Sequence, residues 1–379
     1  MEGFKRIEMV DLKSQYLKIK NEIDLSLIET IESSQFIGGS EVESFKNSLQ
    51  KYLGVKHVIT CANGTDALQI ALMALELKPG DEVIVPAFNY ISSAEVICLL
   101  GLTPIVADVD LNNFNITLDN IEKVISSKTK AIIPVHLFGQ SSPMEEIIEI
   151  SKKYNLYVIE DNAQALGANF YFKDRTSKKT GTIGDIGCTS FFPTKNLGCF
   201  GDGGAIFTNN SELAERIEMI SKHGQSKKYY HKIIGCNSRL DSIQATILNI
   251  KLKNLNTYNL NRAKAADFYS KELIEIQGLK IPKIKEYSSH VFHQYTLRVK
   301  NNKRDQLKDY LEKQNIPSMV YYPIPLHKQE AFSKYFKKVI QLNNTELLCN
   351  EVLSLPMHSE LETSTQEYII RKIKTFFNA

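Results

Sequence analysis

Between residues 57 and 210, short apolar runs rich in β-branched side chains alternate with amphipathic stretches of helical period. The runs cover 57–61, 82–86, 104–107, 131–135, 157–160, 188–191 and 205–208; the helical stretches cover 66–76, 91–100, 118–126, 143–154 and 211–222. Short apolar runs between turn signals mark strands, whereas apolar positions recurring every three and four residues mark helices with one buried face. Strand–helix alternation with little room for hairpins predicts an α/β fold around a mostly parallel central sheet flanked by helices. After residue 238 the pattern changes. One long helical stretch, 239–276, is followed by a strand pair at 279–282 and 291–299 and by helices near 303–314, 345–353 and 363–376. This predicts two domains: residues 1–250, a large α/β domain with a helical N-terminal segment, and residues 251–379, a smaller C-terminal α+β domain.

A chain of 379 residues can bury an ample core without disulfide or metal staples. The 46 Lys and Arg nearly cancel the 43 Asp and Glu, leaving +3, which argues against a general binder of nucleic acid or membrane surfaces. At 43% hydrophobic and 23% charged residues the composition is that of a globular protein, so disordered and fibrous classes are excluded. No apolar region follows Met1–Arg6, so no signal peptide is expected. The longest apolar stretches, such as 96–102, fall short of the roughly 18 residues a membrane helix needs. Six cysteines (61, 98, 188, 199, 236 and 349) form no CxxC pair and read as reduced thiols, which places the chain in the cytoplasm. His290 and His293 have HxxH spacing, but on a strand they would face opposite ways, and no cluster completes a tetrahedral set, so no metal is expected.

Three segments carry chemistry. In Ala62–Leu68 a strand ends and a helix opens at Gly64 and Thr65, which can bind a phosphate at the positive end of the helix; the plain alternative is an N-cap by Asn63 or Thr65. The apolar run before Asp161 delivers that carboxylate to the end of a strand, where open α/β sheets place ligands. There Asp161 can pair with a protonated ring nitrogen, ligate Mg²⁺, or simply close a turn. Lys195 follows another strand among aromatic residues and glycines, the setting of a desolvated amine that forms a Schiff base, or else of a solvated loop charge. Each alone is ambiguous. In combination they are the parts needed to hold pyridoxal 5′-phosphate (PLP): a phosphate cradle, a carboxylate for the pyridinium and an amine for the aldehyde.

The motifs NGTDAL, EDNAQALGA, SFFPTKNLGCFGDGGA and NSRLDSIQA resemble those of the DegT/DnrJ-type sugar aminotransferases, PLP enzymes of fold type I, and the similarity runs from about Met9 through most of the chain. The resemblance implies that Lys195 is the Schiff-base lysine and Asp161 the partner of the pyridinium nitrogen. It also implies that Gln164 sits beside the phenolic oxygen, that Tyr90 stacks on the ring, and that Gly64, Thr65 and Ser190 contact the phosphate. Asn237 matches a phosphate contact from the neighbouring subunit, which implies a homodimer with shared active sites. Some members carry His at the lysine position and act as dehydratases; Lys195 favours transamination. A regulatory role finds no DNA-binding helix or basic tail here.

The substrate signals are finer. Segment 222–232 is basic with interleaved aromatics, fit for a diphosphate or for a solvated face. His136 ends a strand, either lining the site or serving a structural role. Arg239 can clamp a carboxylate or phosphate, or support the cofactor site. Tyr321 and Tyr322 resemble residues that enter the partner's sugar pocket. With His293–Tyr295 they are similar to those of members that aminate C3. HGQ, GCNSRLD and YYPIPLHKQ are most similar to enzymes that aminate UDP-2-acetamido-2-deoxy-3-keto-glucuronic acid for lipopolysaccharide O-antigen, with L-glutamate as donor. The dTDP-3-keto-6-deoxyhexose 3-aminotransferases come next. Their sugar lacks the C6 carboxylate, for which Arg239 is the candidate cation.

Overall fold

The computed structural model describes residues 6–336 and 341–378; all of the Met1–Arg6 stretch except Arg6 lies outside them. Two helices come first, α1 (Leu12–Ser33) and α2 (Ser40–Leu53). Asp11 caps α1 by accepting from the Ser14 N–H at 2.8 Å. Val42, Phe45, Leu49 and Leu53 form the buried stripe of α2.

The strands β1 (His57–Cys61), β2 (Glu82–Pro86), β3 (Thr103–Ala107), β4 (Thr129–Ile132) and β5 (Tyr157–Asp161) alternate with α3 (Gly64–Ala74), α4 (Ser92–Leu99), α5 (Leu118–Glu122) and α6 (Met144–Tyr154). A small hairpin, β6 (Asn169–Tyr171) and β7 (Ser177–Lys179), precedes β8 (Ile186–Ser190), β9 (Gly204–Thr208) and α7 (Ser211–Ser221). The main sheet has the order β1-β9-β8-β5-β4-β2-β3. β9 runs antiparallel to both β1 and β8, and the other pairings are parallel. Six strands therefore point the same way, and the carboxyl ends of β1, β2, β5 and β8 meet at one edge. The core is three-layered. Leu68, Val96 and Ile217 pack helices α3, α4 and α7 on one face. On the other face, α2 packs through Phe45 and Leu49, and α6 packs through Met144 and Ile147.

A second hairpin, β10 (Gln225–Lys227) and β11 (Tyr230–His231), occupies the basic segment, so hairpins are commoner than the alternation suggested. Helix α8 (Ser242–Leu273) has 32 residues, about 48 Å at 1.5 Å per residue. Its first half packs through Leu248, Leu252 and Leu255 on the sheet-side core. Its second half packs through Ala266, Tyr269 and Leu273 on a separate core. That core is completed by an antiparallel sheet of β12 (Leu279–Lys280), β13 (Tyr295–Val299) and β14 (Val352–Leu355), with α9 (Arg304–Lys313) and α11 (Thr363–Asn378). The division expected at 250/251 falls inside α8. The strand expected at 291–299 begins at Tyr295, and the helix expected at 345–353 is α10 (Asn343–Glu351), followed at once by β14.

Candidate active site

The strand ends open onto a cavity of about 620 Å³ lined by Gly64, Thr65, Tyr90, Asp161, Gln164, Ser190, Lys195, Tyr321 and Tyr322, nine residues singled out in the sequence. At one end, β1 turns into α3. Asn63 is the N-cap, its side chain accepting from the Asp66 N–H at 2.8 Å. The Ser238 hydroxyl accepts from the Ala62 N–H at 3.0 Å and donates to the Asp66 carboxylate at 2.6 Å, fixing the entry to the helix. Capping thus falls to Asn63, which closes the turn, and Gly64 and Thr65 remain at the cavity. A Cβ at position 64 would lie 2.7 Å from the Ser190 Cβ, so glycine lets the end of β8 approach the first turn of α3. The helix N-terminus and the hydroxyls of Thr65 and Ser190 together suit a phosphate.

Asp161 closes β5 and is 6% exposed. One carboxylate oxygen accepts from the Ser93 hydroxyl at 2.8 Å and the other from the Ala163 N–H at 3.1 Å. Ser93 is fully buried and itself accepts from the Asn89 amide at 2.7 Å, so its own proton is directed at Asp161. This chain of donors holds the carboxylate in a fixed orientation. Sequence reading missed Asn89 and Ser93. Their four-residue spacing, Asn89 in the loop after β2 and Ser93 in the first turn of α4, was the available signal.

The preceding residue, Glu160, faces away from the cavity. Its carboxylate accepts from the N–H groups of Gly181, Ile183 and Gly184 at 2.6–2.8 Å and from His136 Nε2 at 2.8 Å. His136 Nδ1 accepts from the Ser142 N–H at 3.0 Å, which places the ring proton on Nε2. The fully buried His136 therefore has a structural role, as one of its two readings held.

Lys195 lies on the loop between β8 and β9. Burial lowers its amine to about 8, and the Asp161 carboxylate opposes part of that effect. A lysine held there offers a sizeable neutral, nucleophilic fraction near neutral pH. Gln164 accepts from the Phe138 N–H at 2.7 Å and donates to the Tyr322 hydroxyl at 3.1 Å, and burial pushes the Tyr322 phenol upward. The Tyr90 ring is 56% exposed at the mouth, 6.1 Å from that of Tyr322. His293 and Gln294, in the loop before β13, also line the cavity. His290 instead stacks on Phe292 at 3.8 Å, so the HxxH pair is divided by loop geometry rather than by a strand. Among the described residues no group of three or more His, Cys, Asp or Glu is placed to hold a metal, and no helix is long and apolar enough to cross a membrane.

Two candidates lie elsewhere. Asn237 and Arg239 are exposed, and neither lines the cavity. Arg239 borders a small separate pocket with Lys46 and Lys222. The buried Ser238 between them points the other way, toward α3.

A phosphate cradle, a carboxylate at a strand end and a desolvated lysine around one cavity define a PLP-dependent transferase of fold type I, and the residues fit that cofactor at each of its three polar groups. The chain belongs to the DegT/DnrJ/EryC1/StrS aminotransferase family, whose profile matches residues 17–374. It is 45% identical to a "pleiotropic regulatory protein" of Geobacillus stearothermophilus, over 98% of each chain. It is 42% identical to the UDP-2-acetamido-2-deoxy-3-oxo-D-glucuronate aminotransferase of Pseudomonas aeruginosa, over 96% of this chain and 98% of that one. It is 40% identical to the dTDP-3-amino-3,6-dideoxy-alpha-D-galactopyranose transaminase of Aneurinibacillus thermoaerophilus, over 98% and 99%. The solved structure of S. venezuelae DesV with a ketimine intermediate superposes with a TM-score of 0.94 at 33% identity, covering 99% of this chain and 100% of that one. The protein is a PLP-dependent aminotransferase.

Proposed function

We propose that the protein moves an amino group from L-glutamate to C3 of a nucleotide-linked 3-keto sugar, UDP-2-acetamido-2-deoxy-3-keto-glucuronic acid, in the cytoplasmic synthesis of lipopolysaccharide O-antigen or another surface polysaccharide. The observation that carries the reading is a single cavity in which Lys195 and Asp161 share space with Tyr321, Tyr322, His293 and Gln294, a polar and aromatic end suited to a sugar. PLP, when bound, supplies an electron sink for the pair released as an amino acid loses its α-proton. Lys195 would hold the cofactor through its amine, and the same amine would serve as base and acid for that proton. Asp161 would pair with the ring nitrogen, Gln164 would serve the phenolic oxygen, and Tyr90 would pack on the ring. Gly64, Thr65 and Ser190 hold the phosphate. Relatives acting on UDP-linked and on dTDP-linked sugars support the substrate class. A dTDP-3-keto-6-deoxyhexose is therefore the second reading, and the dehydratase reading lacks its histidine.

The working unit is a homodimer with shared sites. Leu17, Leu25, Ile28 and Ile31 on one side of α1 are each more than half exposed, an apolar stripe that favours a second copy. Asn237 and Arg239, turned away from their own cavity, then reach the partner's phosphate and sugar. Tyr321 and Tyr322, expected to enter the partner's sugar pocket, instead line the cavity of their own chain beside Lys195 and Gln164, and there they face the sugar.

Purified protein loaded with PLP is expected to lose its yellow band on adding L-glutamate and to regain it on adding the UDP-linked 3-keto uronic acid, with the 3-amino sugar formed. Equal or faster turnover of the dTDP-linked 3-keto-6-deoxyhexose would transfer the assignment to that substrate. A protein that binds PLP and turns over no keto sugar with any amino donor would support the regulatory reading.

A further inference from the structure

One of the buried cations, on α8, has no part in the chemistry described so far. Lys251, on α8, is 2% exposed. Its Nζ donates to the Gly198 carbonyl at 2.5 Å and lies 5.4 Å from the centre of the Phe200 ring. No carboxylate pairs with it among the described residues. A lysine buried without a counter-ion is costly and uncommon, so its place calls for a specific partner. That partner is the loop that carries Lys195.

The loop is tightly wound. Lys195 N–H donates to the Phe192 carbonyl and Cys199 N–H to the Phe191 carbonyl, both at 2.8 Å. A Cβ at position 198 would come within 2.3 Å of the Pro193 oxygen, so only glycine fits the close of the turn. Three side chains of α8 grip this turn from one side. Gln244 accepts from the Phe200 N–H at 2.8 Å, Lys251 holds the Gly198 carbonyl, and Asn259 accepts from the Asn196 amide at 2.7 Å. Positions 244, 251 and 259 are seven and eight residues apart, close to whole helical turns, and so share one face. On the same face, Asn259 also donates to the Leu166 carbonyl at 3.2 Å, and Arg262 donates to the Phe292 and Met357 carbonyls at 3.2 and 3.0 Å. The helix thus ties the Lys195 loop, the end of the Gln164 loop and the segment bearing His293 to one rigid rod.

We propose that Lys251 is a positioning residue for Lys195: by holding the Gly198 carbonyl from α8 it fixes the Pro193–Gly198 turn, and with it the reach and the dryness of the Lys195 amine in the cavity. Lys251 touches neither cofactor nor substrate and acts through the backbone of the turn. The groups facing Lys195 are Asp161 and His293, and those facing Lys251 are Cys199 and Arg262. The proposal rests on the reading of Lys195 as the Schiff-base lysine.

The test compares wild type, Lys251→Met and Lys251→Arg as apoenzymes. Each is mixed with PLP while the yellow adduct is followed across the neutral and alkaline range, and the adduct is then reduced with borohydride and mapped. In wild type the capture rate has its midpoint near 8, where burial sets the Lys195 amine. In Lys251→Met the loosened turn lets water reach the amine, so the midpoint moves upward and the PLP dissociation constant rises about tenfold, the scale of one hydrogen bond from a charged donor. Lys251→Arg keeps a charged donor and restores both to within about threefold of wild type. Should Lys251→Met fail to fold, Lys251→Gln carries the same measurement, with an upward shift in the same direction expected. A variant with lowered Tm but wild-type midpoint and dissociation constant would overturn the proposal and leave Lys251 a purely structural residue. A wild-type protein whose reduced adduct maps away from Lys195 would overturn the reading of Lys195 itself, whatever Lys251 does.

Discussion

The two ends of the cavity are built differently. At the inner end, Asp161, Ser190 and the first turn of α3 sit at the tips of parallel strands, and the Asp161 carboxylate is held by hydrogen bonds from Ser93 and Ala163. At the mouth, Tyr90 is 56% exposed, its ring 6.1 Å from that of Tyr322. The inner end is rigid because the sheet that places it is itself the core. The mouth consists of loops and of partly exposed side chains, which the sheet does not hold directly. Chemistry common to many substrates belongs at the first end, and discrimination among sugars at the second.

Four substitutions or titrations sharpen that contrast. Lys195→Ala should abolish transfer, by roughly 10²–10⁴-fold or more, with far-UV circular dichroism unchanged. Retained transamination would break the assignment of the inner end. Ser93→Ala removes the donor that orients Asp161, and should weaken PLP binding by about 1–2 kcal/mol, roughly tenfold in Kd, as read by equilibrium dialysis. Arg239→Lys should raise KM for the UDP-linked uronic acid several-fold, the loss of a bidentate clamp. The glutamate half-reaction should stay at the wild-type rate. Equal effects on the uronic acid and the dTDP-linked deoxyhexose would remove Arg239 from the recognition of C6.

The smallest effect is in pH. Lys195 and Lys251 are both lowered by burial to about 8 from the ordinary 10.5. Between those values the unfolded chain holds more protons than the folded one, so the contribution of these two groups to apoenzyme stability rises with pH across that window. Urea titrations of wild type and Lys251→Met should show the slope reduced in the variant.

The inner end was legible in the sequence because strand tips announce themselves: Gly64 and Asp161 each follow an apolar run, Ser190 lies in the run 188–191, and Lys195 comes soon after it. What was illegible has two physical sources. Periodicity reports which positions are apolar, not the direction of a strand, so nothing foretold that β9 runs against its neighbours. Nor does periodicity report a buried polar side chain whose partner is a distant backbone carbonyl. Lys251, Asn259 and Arg262 are polar positions of the long helical stretch, and the face they share is inside. Ser93 was hidden in the same way, a small hydroxyl at the start of an apolar helix. The charged stretch that folds into β10 and β11 carries no alternation, and β14 follows α10 without a turn to mark it.

The length of α8 also governs how this protein can be recombined. One helix supplies Leu248 and Leu255 to the sheet-side core and Tyr269 and Leu273 to the C-terminal one. A chimaera that exchanges C-terminal portions with a relative inherits both interfaces of the rod from a single parent only if its crossover falls outside Ser242–Leu273. A junction near 250 would set Lys251 and Asn259 of one parent against the Lys195 turn of the other, mismatching side chains behind that turn as well as exchanging the cavity residues His293, Gln294, Tyr321 and Tyr322.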